Sequence, residues 1–291
     1  MKTYDITFKS YNSGDYPKPI TAYVVEPTKM DENTGLMHYA HGWGANRFQY
    51  KEMQEEFADR YNLVGVGTEY RMSGFDFDPV VGRGATLPYD VSNMQVIDCL
   101  NAIRTVLDLY PELNPKRMYN FGGSQGGHVA MLMSVFAPNT FALAISACGI
   151  SHLDEYWMSR AGRIFDADEL AIRNAVQLAS RVKCPVVLMH GTADEWVEDS
   201  HCRQLEQALR DAGQTVVSRY YEGANHALGP DTNRRDETVA LADDLLRNSV
   251  NDKDIDFTAG KEIRIPCVHK QLVIDWSKPV AGENLVRWEA M

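Results

Sequence analysis

One stretch limits the fold more than any other. Residues 117–136 run from Arg117 to Phe121 in a form that suits a buried strand, pass through Gly122-Gly123-Ser124-Gln125-Gly126-Gly127, and continue into an apolar segment long enough for a helix. Ser124 therefore falls on a strand-to-helix turn, where the backbone is tight and small neighbours are required on both sides. The rest of the chain repeats the rhythm. Strands are predicted at 4–9, 20–26, 35–40, 63–68, 143–146, 185–190 and 216–221, with a Gly/Pro-containing turn between the first two. Helices are predicted at 48–60, 91–109, 200–212 and 233–249, the second from Val91, Met94, Ile97, Leu100, Ile103, Val106 and Leu107 at helical spacing. Short strands alternating with longer helices imply an α/β fold with a mostly parallel central sheet flanked by helices.

Two segments depart from that rhythm. Residues 151–182 are polar and aromatic with helical stretches, and are expected to form a small cap. Ile263, Ile265, Val268, Leu272 and Ile274 read as short strands of a β-rich C-terminal extension, 251–291, following a catalytic domain at 1–250.

The G-x-S-x-G form makes Ser124 the expected nucleophile, with a helix N-terminus behind it whose dipole favours developing negative charge. A serine hydroxyl needs a base, and on such a sheet the acid and then the histidine follow the nucleophile in the chain. His226, in Gly223-Ala224-Asn225-His226, lies just past the last core strand and is the expected base. His38 and His190 fall within strands and are expected in the core, His128 is expected to pack, and His201 and His269 are expected at the surface. Asp194 closes His190-Gly191-Thr192-Ala193-Asp194 and is the expected acid that holds the imidazole tautomer. Glu195, Glu198 and Asp199 are its rivals, read as solvated charges at a helix start.

Acyl transfer also needs two preset donors for the oxyanion. The backbone N–H groups of Gln125 and of Trp43, within His41-Gly42-Trp43-Gly44, are expected to supply them. The Trp43 ring, His152, Tyr156 and Trp157 are the expected substrate contacts, and Glu69, Arg71 and Asp76 are candidates for a polar mouth.

Bulk properties exclude several classes. A net charge of −11 without a Lys/Arg block argues against a nucleic-acid partner. No apolar run reaches the roughly 18 residues of a membrane span, and Met1 to Ser10 lacks a signal core. The cysteines, Cys99, Cys148, Cys184, Cys202 and Cys267, are odd in number and widely spaced, so they read as buried thiols in a reducing, cytoplasmic compartment. The absence of H-E-x-x-H, of a P-loop and of G-x-G-x-x-G predicts no metal and no cofactor. Assembly as a homo-oligomer stays open.

The motifs His41-Gly42-Trp43-Gly44, Gly122 to Gly127, His190 to Asp194 and Asn225-His226 resemble the α/β-hydrolase superfamily. Within it the chain is similar to the branch of prolyl-oligopeptidase-type catalytic domains, dienelactone-hydrolase-like proteins and acetyl xylan esterases or cephalosporin deacetylases, across residues 20–250. Ser124 to Gly127 is like the deacetylases, and Lys183-Cys184-Pro185 through Asp194 is like the peptidases. The chain departs from the deacetylases in Glu69-Tyr70-Arg71-Met72-Ser73-Gly74, where they carry Arg-Gly-Gln-Gly, and in Ala227, where they carry Glu after the base. The peptidases carry a large propeller domain, for which this length leaves no room. The resemblance implies a Ser-His-Asp serine hydrolase, and the expected substrate is a small or medium carboxylic ester. The alternative is a prolyl-oligopeptidase-like aminopeptidase or acyl-peptide hydrolase, and a lesser one is a non-catalytic binding protein on the same fold.

Overall fold

The computed structural model describes residues 1–11, 19–78, 80, 83–84 and 89–291. The turn expected between the first two strands falls on residues 12–18, outside the described residues. In chain order the elements are β1 (Lys2–Phe8), β2 (Ile20–Glu26), β3 (Gly35–Ala40), α1 (Lys51–Tyr61), β4 (Leu63–Glu69), β5 (Phe77–Asp78), β6 (Arg83–Gly84), α2 (Asn93–Leu109), β7 (Met118–Gly123), α3 (Gln125–Phe136), β8 (Leu143–Ala147), α4 (Glu155–Ala161), α5 (Ala167–Ala171), β9 (Val186–Gly191), α6 (Asp199–Asp211), β10 (Val216–Tyr221), α7 (Arg234–Asn248), β11 (Glu262–Pro266), β12 (Lys270–Asp275) and β13 (Val286–Ala290).

The main sheet has the order β1-β2-β4-β3-β7-β8-β9-β10, and β5 pairs with β6 in a ladder of its own. β1 and β2 run antiparallel to their neighbours, and the strands from β4 to β10 run parallel to one another. Side chains alternate between the two faces of a strand, and β3, β4, β7, β8 and β9 are buried on both, while β10 at the edge is only partly covered. Val186 and Leu188 of β9 join α2, α3 and α6 in one apolar layer, while Val187 and Met189 join α1 and α7 in the other. This is an α/β-hydrolase fold.

Topology also fixes where a site belongs. From β3 the chain goes to β4 on one side, then returns to β7 on the other and continues outward to β10. The β3–β7 seam, with Ala40 opposite Gly122, is therefore the place where connections diverge and a crevice opens beyond the strand ends.

The C-terminal strands form a separate antiparallel sheet, β11-β12-β13. Ile265, Leu272, Ile274 and Trp276 pack into the α2/α3 layer, and the Trp276 indole N–H donates to the Phe136 carbonyl at the end of α3 (3.1 Å). Among the described residues no helix is long and apolar enough to cross a membrane.

Two expectations are corrected here. Arg71 does not reach a mouth: it is buried, and its fork meets both oxygens of Asp98 at 2.8 Å, because a guanidinium enclosed this far needs a bidentate carboxylate. His201 is not at the surface. It is buried at the start of α6, where its Nδ1 accepts the Ser151 N–H (3.2 Å). Of the other two residues assigned to the mouth, Glu69 pairs with Arg47 (2.6 Å), and both Glu69 and Asp76 line a cavity away from Ser124.

Burial pushes the His38 imidazole down to about 3, and those of His41, His128 and His201 down to about 4. The unfolded chain takes up these protons near about 6.5. Folded values below the unfolded one contribute stability that is present above about pH 6.5 and lost as the pH falls towards 4. Each such group costs about 1.4 kcal/mol per pH unit within that window. Urea midpoints measured between pH 7 and 4.5 are expected to fall steeply, and a flat profile contradicts these burials.

Candidate active site

Ser124 stands at the head of α3 with φ 60° and ψ −127°, a left-handed conformation that a non-glycine residue adopts only when its surroundings hold it there. The glycines around it are required by contact. A Cβ on Gly122 would strike the Gly126 carbonyl, and one on Gly126 would strike the Ala40 carbonyl across the seam. The Ser124 N–H donates to Ala147 of β8 (2.9 Å), which pins the elbow to the neighbouring strand.

The two expected oxyanion donors flank the seam. The Gln125 side chain is turned into the protein, where Oε1 accepts from the Tyr89 hydroxyl (3.0 Å) and Nε2 donates to Gln95 Oε1 (2.7 Å). Its backbone N–H, the first of α3, belongs to the helix turn that lacks intrahelical acceptors. On the other side, the Ala45 N–H donates to the Gly42 carbonyl (3.1 Å), closing a turn over Trp43 and Gly44, and Gln49 Oε1 accepts the Gly42 N–H (2.6 Å). The Trp43 ring stacks on Tyr89 with centroids 4.5 Å apart.

Asp194 lies in the turn after β9, and its carboxylate is fully enclosed. Oδ1 accepts the backbone N–H groups of Trp196 (2.9 Å) and Val197 (3.0 Å). Oδ2 faces His226 Nδ1 (2.7 Å) and His190 Nε2 (3.2 Å). Burial alone pushes this carboxyl up, but the hydrogen bonds from His190, His226 and Val197 outweigh it and hold it well below the usual carboxylate range. The group is thus a fixed anion beside the imidazole. The rivals are engaged elsewhere: Glu195 accepts the His226 backbone N–H (3.3 Å), Glu198 accepts from the Ser200 hydroxyl (3.2 Å), and Asp199 pairs with Arg203 (2.7 Å).

His226 sits in the loop after β10, shaped by Asn225, whose side-chain oxygen accepts from the Ala227 and Gly229 N–H groups (both 2.9 Å). Its side chain is 18 % exposed and lines the same cavity as Ser124. His38 and His128 serve the structure: His38 bonds to Thr68 (2.9 Å) and His128 Nε2 donates to the Arg173 carbonyl (2.7 Å).

Ser124 and His226 line one cavity of about 220 Å³, together with Trp43, Trp157, Arg160, Trp196 and Arg234. His152 and Tyr156 line a neighbouring cavity of about 440 Å³, separated from the first by Trp157 and Trp196, which belong to both. Sequence reasoning missed Arg160, Trp196 and Arg234. Two of them carried a usable signal: Trp196 is two residues past Asp194, and Arg160 is one helical turn past Trp157. Helix α4, which presents that pair, starts where the Asp154 side chain accepts the Trp157 N–H (3.1 Å) and stops at Gly162 with φ 76°.

Among the described residues, Cys148, His190 and Asp194 have ligand atoms within 4.8 Å of one another. The Val197 carbonyl lies 2.8 Å from His190 Nε2, which places the proton on that nitrogen. The Nε2–H is shared between the Val197 carbonyl and Asp194 Oδ2, so His190 braces the Asp194 carboxylate.

Comparison with known proteins adds the family. The prolyl oligopeptidase family matches residues 88–252, more than half of the chain and including Ser124, Asp194 and His226. An uncharacterized peptidase of Bacillus subtilis, YtmA, is 27 % identical over 150 residues, which cover 47 % of this chain and 58 % of that protein. The acylamino-acid-releasing enzyme of Arabidopsis thaliana is 26 % identical over 162 residues, 49 % of this chain and 21 % of that enzyme. The chain thus spans less than two thirds of the length of these relatives, 58 % of one and 21 % of the other. Among solved structures, the acylaminoacyl peptidase of Pyrococcus horikoshii superposes with a TM-score of 0.67 at 16 % identity, covering 87 % of this chain and 42 % of that one. A puromycin-hydrolyzing peptidase of Mycobacterium tuberculosis gives 0.63 at 20 % identity, with 78 % and 36 % covered. These findings overturn the expected carboxylic ester hydrolase: the family and the relatives are peptidases. The error has a chemical reason, since both activities use the same triad and the motifs alone do not separate them. The chain is a serine hydrolase with an α/β-hydrolase fold, and it belongs to the prolyl oligopeptidase family.

Proposed function

We propose that this protein is a serine peptidase that cleaves a short peptide through an acyl-enzyme on Ser124. The observation that carries the reading is the family match across residues 88–252, which contain the serine, the Asp194–His226 pair and, from the cavity wall, Trp157, Arg160, Trp196 and Arg234. Ser124 Oγ attacks the scissile carbonyl while His226 Nε2 takes its proton, and Asp194 stabilises the resulting imidazolium. The carbonyl oxygen becomes an oxyanion held by the backbone N–H groups of Gln125 and Trp43. Collapse breaks the C–N bond, and the imidazolium gives its proton to the departing amine. Water, deprotonated by His226, then releases the acid and restores Ser124.

The cavity of about 220 Å³ lies below the usual range of about 300–1,000 Å³ for small-ligand sites, which favours the end of a short peptide over a long chain. The test is a panel of free and N-acylated aminoacyl and dipeptidyl arylamides. Release of the arylamine is expected for at least one class, and its absence across a panel on a protein that labels with a fluorophosphonate contradicts the peptidase reading.

A further inference from the structure

The walls of the Ser124 cavity are cationic in a chain of net charge −11. Two arginines line it, Arg160 and Arg234, and among the described residues no Asp or Glu does. Neither guanidinium belongs to an ion pair among the described residues. Arg160 donates to the Tyr156 hydroxyl (3.2 Å), and Arg234 donates to the Tyr50 hydroxyl (3.3 Å) and the His226 carbonyl (2.5 Å). The Arg234 Nε is buried without a partner. Asp194 does not neutralise them, because its oxygens face His226, His190 and two backbone N–H groups.

The two arginines differ in what they are free to do. Arg234 packs behind the elbow, where a Cβ on Gly123 would meet its Nη1 at 2.6 Å, and it ties down the His226 loop. Arg160 is half-buried on α4 and is surrounded by indoles: its Cζ lies 5.1 Å from the Trp43 ring centroid, 5.9 Å from that of Trp157 and 5.5 Å from that of Trp196. Indole contacts engage the faces of a guanidinium, whereas hydrogen bonds use its edge. Three rings thus orient Arg160 while leaving most of its donors available. A guanidinium held so, on the same cavity as the nucleophile, is built to take a planar anion in a two-pronged contact.

We propose that the Ser124 cavity selects peptides carrying a carboxylate next to the scissile bond, with Arg160 as the residue that binds it. The carboxylate comes either from an acidic side chain on the residue whose carbonyl is attacked or from the free C-terminus of the departing residue. Arg234 adds positive potential that the bound anion offsets. This rests on the peptidase reading above.

The experiment compares matched substrates on wild-type protein, Arg160→Gln and Arg160→Lys. One pair is an N-acyl-dipeptide arylamide ending in Glu or Gln, and the other is an N-acyl-dipeptide with a C-terminal acid or amide. The readouts are kcat/KM and, separately, the protection that each compound gives Ser124 against a fluorophosphonate. One pair is expected to favour the acid by roughly 10- to 100-fold, the worth of a charge-assisted hydrogen bond. That ratio should fall to near one in Arg160→Gln and recover in part in Arg160→Lys. A ratio near one in the wild type, or one that Arg160→Gln leaves intact, overturns the proposal. Cleavage without preference removes the proposal and leaves the peptidase reading. Arg160-dependent protection by acids without any cleavage keeps the proposal and removes the peptidase reading.

Discussion

Ser124→Ala is expected to abolish covalent labelling by a fluorophosphonate and to leave only the catalysis that binding and oxyanion stabilisation supply, roughly 10³–10⁴ over water. The fold should survive, since the hydroxyl is not among the groups that shape the elbow: that shape comes from the Ser124 N–H on Ala147 and from the glycines beside it. Removing His226 should cost nearly as much, and Ser124→Ala with His226→Ala should be little worse than either alone, because the members of a triad act as a unit. Circular dichroism establishes that the fold is retained, and kcat on an arylamide measures the loss. Losses that multiply in the double mutant show that a different residue is the base.

Asp194→Asn is expected to lower kcat by about 10⁴ through the wrong imidazole tautomer. The geometry here dictates which way the amide turns. The Trp196 and Val197 N–H groups need an oxygen at the Oδ1 position, so the NH₂ goes to the Oδ2 position and faces His226 Nδ1. Nδ1 must then accept, and the ring proton moves to Nε2, where it cannot take the serine proton. The same NH₂ meets the His190 Nε2–H, a donor against a donor, so a modest loss of stability is expected as well. Steady-state kinetics and urea unfolding on one purified variant check both. If Glu195→Gln or Glu198→Gln is instead the damaging change, Asp194 is not the acid.

The sequence carried the parts of the fold that local physics decides. Apolar runs of strand length, the helical spacing in 91–109 and the glycines around Ser124 all have causes within a few residues, and α2, β7 and α3 lie where those signals place them. The meeting of Asp194 with His226 was legible because each follows a strand end, and their 2.7 Å contact spans 32 positions through β10. What was not legible depends on tertiary placement. Arg71 and His201 look like surface residues in sequence and are buried because Asp98 and Ser151 receive them across the fold. The strands after residue 250 showed their apolar alternation but not their destination, the α2/α3 layer. Arg160, Trp196 and Arg234 come from three separate elements, and only the assembled sheet end brings them to one cavity. The choice of substrate was hidden for a chemical reason, since ester and amide share the triad and differ in the walls around it.

The most direct measurement titrates the purified protein with a fluorophosphonate and follows two quantities together: the fraction of Ser124 modified, by peptide mass spectrometry, and the remaining hydrolysis of a cleavable arylamide. The expected result is a single straight line, with amide hydrolysis vanishing as Ser124 occupancy reaches one per chain. Hydrolysis that persists at full occupancy, or that vanishes with label on another residue, contradicts the assignment of peptide cleavage to Ser124.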